Sequence, residues 1–284
     1  MKVCIASGKG GTGKTLISTS LALVLAETEP VQLLDCDVES PNAHLFFNPS
    51  FRQRVPVAVT VPLVDDEACA HCGERARACR FNAIASLPND TVVYTELCHS
   101  CGVCVAACST GAIAEVSREI GYLDIGDAGA IAFVRGTLNV GEARSSPVIA
   151  AVKSYSDPSC TVLLDAPPGT SCPVVEAMRG CDLAILVSES TPFGLSDLRL
   201  AVETARLLDL PFAVVVNRDG LGDNRLDRYC RDEGIPVWGR VPHDRRIAEA
   251  CARGERAIET SPALRSAVAT VAERLQKLEM RAAI

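Results

Sequence analysis

The chain has 284 residues, 48% of them hydrophobic but only 4% aromatic, and a formal net charge of −7. That length and apolar content can build one large α/β domain or two smaller ones. The acidic balance, with no long basic run, gives no support to nucleic-acid binding, and no apolar stretch approaches the ~20 residues that span a bilayer.

The first residues already read as structure. Lys2-Val3-Cys4-Ile5-Ala6 is a strand pattern with no leader ahead of it. Fourteen cysteines without a secretion signal point to a reducing cytoplasm and to metal ligation rather than disulfides. The apolar weight lies in Ala, Val, Leu and Ile, which suits a parallel sheet covered by helices.

The strand runs into Gly8-Lys9-Gly10-Gly11-Thr12-Gly13-Lys14-Thr15, followed by a predicted helix over 16–26. This fits G-x-x-x-x-G-K-[ST] between a strand and a helix, the context in which glycines let backbone N–H groups close on phosphate oxygens. Lys14 is expected at the β- and γ-phosphates and the Thr15 hydroxyl on Mg²⁺. A ligand-free glycine-rich turn would share the glycines; the two correct flanks favour the phosphate loop. The next strand, 31–35, ends in Asp35-Cys36-Asp37, where a carboxylate can orient water or Mg²⁺.

Two copies of one cysteine pattern follow. The first holds Cys69, Cys72 and Cys79, then Arg80-Phe81-Asn82-Ala83-Ile84; the second holds Cys98, Cys101, Cys104 and Cys108, then Ser109-Thr110-Gly111-Ala112-Ile113. An offset of 29 superimposes them, and only Arg75 breaks the register, standing where the second copy has Cys104. The second copy is C-x2-C-x2-C-x3-C, the run that holds an iron–sulfur cluster. Pro56 and Pro62 flank the entry and a glycine- and aspartate-rich exit is expected over 121–129, so the insert is placed at 63–118. In two-cluster ferredoxin-like folds the fourth cysteine of each run ligates the other cluster. Cys98, Cys101, Cys104 and Cys79 then make a complete set for a [4Fe–4S] cluster. The other set has Cys69, Cys72 and Cys108, with Arg75, a cation without an acceptor lone pair, in the remaining place. That site is open to a [3Fe–4S] cluster, to a [4Fe–4S] cluster with one open iron, or to nothing. His71 and Glu74 are nearby donors, although His71 reads first as an exposed loop residue. A zinc ribbon is the rival reading, and it leaves Cys79, Cys104 and Cys108 without a role.

Further on, the strand over 162–165 ends in Asp165 and leads into Ala166-Pro167-Pro168-Gly169. Cys172 follows and is expected to be a small buried residue, as are Cys4, Cys36, Cys160, Cys181, Cys230 and Cys251. An apolar run at 183–188, helical spacing at 195–208, a strand at 212–216 ending at Asn217-Arg218, and a strand at 237–241 leading to Pro242 complete the alternation. Asp244 is expected to cap the next helix. A C-terminal helix over 263–280 carries Glu279 and little basic charge, a weak membrane anchor. Alternation of this kind gives a parallel sheet with helices on both faces.

Lys9, a second lysine just after the first glycine of the loop, makes the chain resemble the deviant P-loop ATPases, the group that includes MinD, ParA and the nitrogenase iron protein. Its arrangement resembles MinD-superfamily ATPases with an inserted ferredoxin domain, and the resemblance covers essentially the whole chain. It implies that Lys9 reaches across a dimer interface to the partner's phosphates, and that Asp37 positions the attacking water. It also puts Asn42 in a first switch, Asp165 on the Mg²⁺ shell and Gly169 near the γ-phosphate. Asn217 is implied to read adenine, with the loop at Pro242 also at the base. The implied fold is a doubly wound, mostly parallel α/β sheet of the P-loop NTPase type over 1–62 and 119–284, with a small α+β ferredoxin-like domain at 63–118. The implied function is Mg-ATP binding and hydrolysis by an ATP-dependent homodimer, or a heterodimer with a related ATPase. This would be coupled to an iron–sulfur module that serves a redox or cluster-acceptor protein. The alternative is an ATP-dependent positioning switch of the division or partition type with a structural cluster. Cys172 lies where the nitrogenase iron protein has a cluster-binding cysteine, but no second cysteine stands between 126 and 158 to match that protein's other ligand.

Overall fold

The computed structural model describes residues 1–282. Strand β1 (Lys2–Ala6) leads into helix α1 (Lys14–Leu25), then β2 (Val31–Asp35) and a short α2 (His44–Phe47). A long strand β3 (Ser50–Val64) goes out to a small module of α3 (Glu74–Ala78), β4 (Ile84–Leu87), β5 (Asp90–Val93) and α4 (Val103–Ala106). Strand β6 (Ile113–Ala128) brings the chain back and turns into β7 (Ile131–Leu138). Regular alternation resumes with α5 (Ser146–Ser154), β8 (Thr161–Asp165), α6 (Cys172–Met178), β9 (Leu183–Glu189), α7 (Pro192–Leu207), β10 (Phe212–Asp219), α8 (Arg225–Asp232) and β11 (Val237–Pro242). Helices α9 (Arg245–Ala252), α10 (Ala257–Thr260) and α11 (Pro262–Ala282) close the described chain.

Nine strands form one sheet in the order β11-β10-β9-β1-β8-β2-β7-β6-β3. Those from β11 to β7 run parallel; β6 and β3 are antiparallel additions at one edge. Successive residues of a strand face opposite sides, and here both sides are apolar. Val3 and Ile5 of β1 join a core with α1, α9, α10 and α11, whereas Cys4 and Ala6 join a second core with α5, α6, α7 and α8. This is the expected doubly wound, mostly parallel sheet. No helix among the described residues is long and apolar enough to cross a membrane. The apolar side of α11, with Leu264, Val268, Val271 and Leu275, is buried in the first core.

Three expectations are corrected. The glycine- and aspartate-rich exit placed over 121–129 is regular strand: residues through Ala128 belong to β6, which pairs with β3 from Ser50↔Asp127 to Val64↔Ile113. Its glycines serve close packing, since a Cβ at Gly126 would stand 2.0 Å from the Ser50 carbonyl oxygen and one at Gly121 2.4 Å from that of Thr137. Pro56 and Pro62 lie within β3 rather than beside it, tolerated because β3 is the edge strand. The β3/β6 ribbon therefore runs through residues 63 and 118, and the segment beyond it is 65–112. Finally, Cys172 is exposed, and Cys160, Cys181 and Cys251 are only half-buried. The turn after β8 lifts Cys172 to the surface at the start of α6, after Ser171.

Candidate functional site

In the loop between β1 and α1, Gly8 and Gly13 stand where a side chain would collide with its neighbours. Gly13 has φ 92°, and a Cβ there would lie 2.2 Å from the Asn217 side-chain nitrogen. A Cβ at Gly8 would lie 2.1 Å from the Asp197 carbonyl oxygen. The turn lets α1 begin at Lys14, two residues before the expected start at 16. Asn217, buried at the end of β10, donates from Nδ2 to the Thr12 carbonyl at 2.7 Å. The Gly169 N–H donates to the Ser7 carbonyl at 3.0 Å, tying the loop after β8 to the loop after β1.

A cavity of about 440 Å³ opens above this loop, within the range of small-molecule and cofactor sites. Gly10, Gly11, Gly13, Lys14 and Thr15 line it from the loop, Asp37 and Asn42 from the segment after β2, and Asn217 and Pro242 from the ends of β10 and β11. Gly8, Lys9, Thr12, Asp165 and Gly169 stand behind or beside the lining. Phe46, Pro168, Arg218, His243, Asp244, Ile247, Ala248 and Cys251 also line it. Of these, Phe46, Ile247 and Ala248 carried no sequence signal, and Cys251 was read as core. They come from α2 and α9, which are remote in sequence and apolar at these positions. Asp244 caps α9, accepting from the Arg246 N–H at 2.9 Å, while also facing the cavity.

Beneath the loop, Asp35 and Asp165 are register partners on adjacent strands, and both are fully buried. Asp35 accepts from the N–H groups of Asp37 (3.2 Å) and Ala43 (3.1 Å). Neither carboxylate oxygen of Asp165 has a hydrogen-bond partner, nor does Oδ1 of Asn42. Burial pushes Asp165 up to about 6 against the pull of Lys14. Burial, and then the charge of Asp165, raises Asp35 well above the usual carboxylate range. Burial raises Asp37 too, with Lys14 opposing. An unpartnered buried carboxylate near the Thr15 hydroxyl suits a hard cation that takes oxygen ligands. Lys9 turns away from the cavity, its ammonium 3.7 Å from both Glu189 Oε2 and Asp197 Oδ2.

In the module at 65–112 the 29-residue repeat is visible in the backbone. His71 and Ser100 have φ 47° and 56°, Gly73 and Gly102 73° and 69°, Asn82 and Gly111 54° and 67°. Each glycine starts a short helix, α3 or α4. Cys79, Cys98, Cys101 and Cys104 line one cavity together. Backbone N–H groups of Ala83 and Ser100 point at the Cys79 and Cys98 sulfurs, at 3.3 and 3.4 Å. The other half differs: Arg75 is buried, with Nη2 2.8 Å from Cys69 Sγ. The His71 backbone, the Thr91 hydroxyl and Arg75 hold the Cys69 thiol below its ordinary value; Thr110, and less strongly Arg75, do so for Cys108. His71 lies 3.6 Å from the Cys69 sulfur, while Glu74 is paired with Arg77. Among the described residues no group of three or more His, Cys, Asp or Glu is close enough to hold a single metal ion.

The family described as the CobQ/CobB/MinD/ParA nucleotide binding domain matches residues 3–258. The chain is 35% identical over 225 residues to the uncharacterized protein MJ0578 of Methanocaldococcus jannaschii, covering 78% of this chain and 80% of that one. Among solved structures, the septum site-determining protein MinD of Pyrococcus horikoshii OT3, complexed with Mg-ADP, superposes with a TM-score of 0.61 at 19% identity. That match covers 98% of this chain and 96% of the other. An ATP complex of McdA from Cyanothece gives 0.60 at 17% identity, covering 97% and 96%. The two structures establish likeness of fold. The chain belongs to the CobQ/CobB/MinD/ParA nucleotide-binding family.

Proposed function

We propose that this member of the family binds and hydrolyses Mg-ATP as a nucleotide-dependent dimer and couples its nucleotide state to an iron–sulfur module that exchanges electrons or clusters with a partner protein. The observation that carries the reading is a single sheet bearing both sites. The β3/β6 ribbon that holds the module at its tip is paired, through β7, to the strand that ends at Asp35.

In this reading the backbone N–H groups of Gly10, Gly11 and Gly13 and the Lys14 ammonium receive the phosphates. Thr15 and Asp165 hold Mg²⁺, which gives the two orphaned Asp165 oxygens a partner. Asp37, on the cavity wall, orients the attacking water, and Asn42 closes beside it. Asn217 and Pro242 flank the base, with the apolar side of α9 against it. Lys9, held by two carboxylates of its own chain, exchanges them for the phosphates of a second subunit.

Cys79, Cys98, Cys101 and Cys104 fit a cubane cluster. Four thiols line one cavity, and two of them, Cys79 and Cys98, receive N–H···S contacts of the kind that tune such centres. When bound, the cluster supplies a one-electron redox centre. A cluster joins each thiolate to a different iron, so it does not need the close donor group that a single zinc ion requires. The segment 65–112 also has little else to stabilise it: two satellite clusters of three buried residues each, which include Cys98 and Cys104. A unit so small ordinarily needs a metal or disulfide staple. We place the ferredoxin-like unit at 63–118 and the ATPase over 1–62 and 119–284.

The test is anaerobic purification of the full chain, with iron, sulfide and Mg-ATP turnover measured together. The reading expects turnover that Asp37→Ala abolishes and iron that Cys98→Ala removes. Turnover without iron would leave the positioning-switch alternative, in which liposomes would bind the protein only with ATP. The burial of the apolar side of α11 argues against that outcome.

A further inference from the structure

Resting on the iron–sulfur reading, we infer that the first cysteine site holds no cluster: the Arg75 guanidinium occupies it, and the module is a single-cluster, one-electron centre. The repeat places Arg75 on α3 where Cys104 sits on α4, behind glycines of matching left-handed conformation at 73 and 102. The two side chains therefore enter their halves from equivalent backbone positions. Cys104 enters the cavity shared with Cys79, Cys98 and Cys101. Arg75 enters the interior of its own half, where it is only 3% exposed and its Nη2 is 2.8 Å from the Cys69 sulfur.

An arginine is a poor iron ligand, because its guanidinium has no free lone pair while it stays protonated. A buried guanidinium needs a polar partner, and the Cys69 sulfur, 2.8 Å from Nη2, is the one it contacts. The pairing thus spends one of the three remaining cysteines on the arginine. Nη1 is buried with no partner, so the guanidinium is held by the sulfur alone and has no polar group to draw it out toward solvent. The charge of the arginine and the loss of a ligand act together: one electron enters and leaves through the cluster on Cys79, Cys98, Cys101 and Cys104, with no second centre as a relay.

The test uses the full-length protein, reconstituted anaerobically with iron and sulfide. The wild type is expected to hold ~4 iron per chain, one [4Fe–4S] cluster, and Arg75→Cys is expected to double that. A second readout needs no variant. Cys72 and Cys101 are both exposed, so alkylation of the native holoprotein, read by mass spectrometry, should label Cys72 and spare Cys101 until the iron is chelated. Iron of ~7–8 per chain in the wild type, protection of Cys72, or unchanged iron in a folded Arg75→Cys protein would overturn the inference while leaving the iron–sulfur reading intact. No iron in either protein, with Cys72 and Cys101 labelled alike, would sink that reading and the inference with it.

Discussion

Two lysines of the phosphate loop differ in what they face. Lys14 is buried on the cavity floor, whereas Lys9 is a third exposed and paired sideways with Glu189 and Asp197. Lys14→Ala should weaken nucleotide binding at least tenfold by removing a direct phosphate contact. Lys9→Ala should bind nucleotide as wild type does but lose ATP-dependent dimerisation and most hydrolysis; sedimentation with ATP and turnover assays read both, and normal turnover would exclude the cross-subunit role. Asp165 makes a separate prediction in the absence of ligand. Its folded value of about 6 lies above the unfolded one near ~4. Its contribution to stability is therefore fully present below ~4 and lost as pH rises through about 6. Asp165→Asn should thus be more stable than wild type at pH 7, by up to about 3 kcal/mol, with the gap closing as the pH is lowered. Denaturant unfolding across that range checks it, and a gap independent of pH would contradict the strain assigned to this acid. The loop residues and Asp37 were singled out by a local motif or a strand end, and Asn42, Asn217 and Pro242 by the family resemblance; Gly10, Gly11, Gly13, Lys14, Thr15 and these four line one cavity. The α2 and α9 lining was not legible, since nothing local marks an apolar residue as facing a ligand rather than a core. Cys172 was misread for the same reason: cysteine is usually buried, and only the turn after β8 decides otherwise.

At the scale of elements, the β3/β6 ribbon is what composition concealed. Glycines and aspartates over 121–129 look like a loop, yet the glycines admit close neighbours. Asp124 is neutralised where it is buried: Arg54 pairs with it at 2.7 and 3.1 Å from β3, and Arg135 pairs with it from β7. Against the upward push of burial, these two cations hold its carboxyl below the usual range. Asp124 therefore stabilises the ribbon at neutral pH, and that contribution fades as pH falls through its depressed value. Asp124→Ala leaves the partly buried Arg135 guanidinium without its carboxylate, while the exposed Arg54 turns to water, and should destabilise the protein. Loss of amide-exchange protection should be concentrated in β3, β6 and β7; a uniform loss, or none, would show that the network does not hold the ribbon. Six of the seven parallel strands were readable as short apolar runs, whereas β7 was not. Nor was the antiparallel pair, because its contacts are made between residues 49 (Val64↔Ile113) to 77 (Ser50↔Asp127) positions apart.

For the whole molecule, the proposed coupling would run through the sheet, which contains both the strand ending at Asp35 and the β3/β6 ribbon. Arg135 is the register partner of Asp35 across β2 and β7, and through Asp124 it reaches β6 and Arg54 of β3. A charge change in the nucleotide pocket thus has a contiguous route of strand pairing and ion pairs to the ribbon that carries the cysteines. The most direct measurement is an anaerobic redox titration of the cluster in the nucleotide-free, Mg-ADP and Mg-ATP states, the last held by Asp37→Ala. Coupling predicts a midpoint shift of about 30 mV or more between the ADP and ATP states, roughly 0.7 kcal/mol for one electron, with a matching change in nucleotide affinity on reduction. Identical potentials in all three states would contradict the account and leave the cluster as a structural staple.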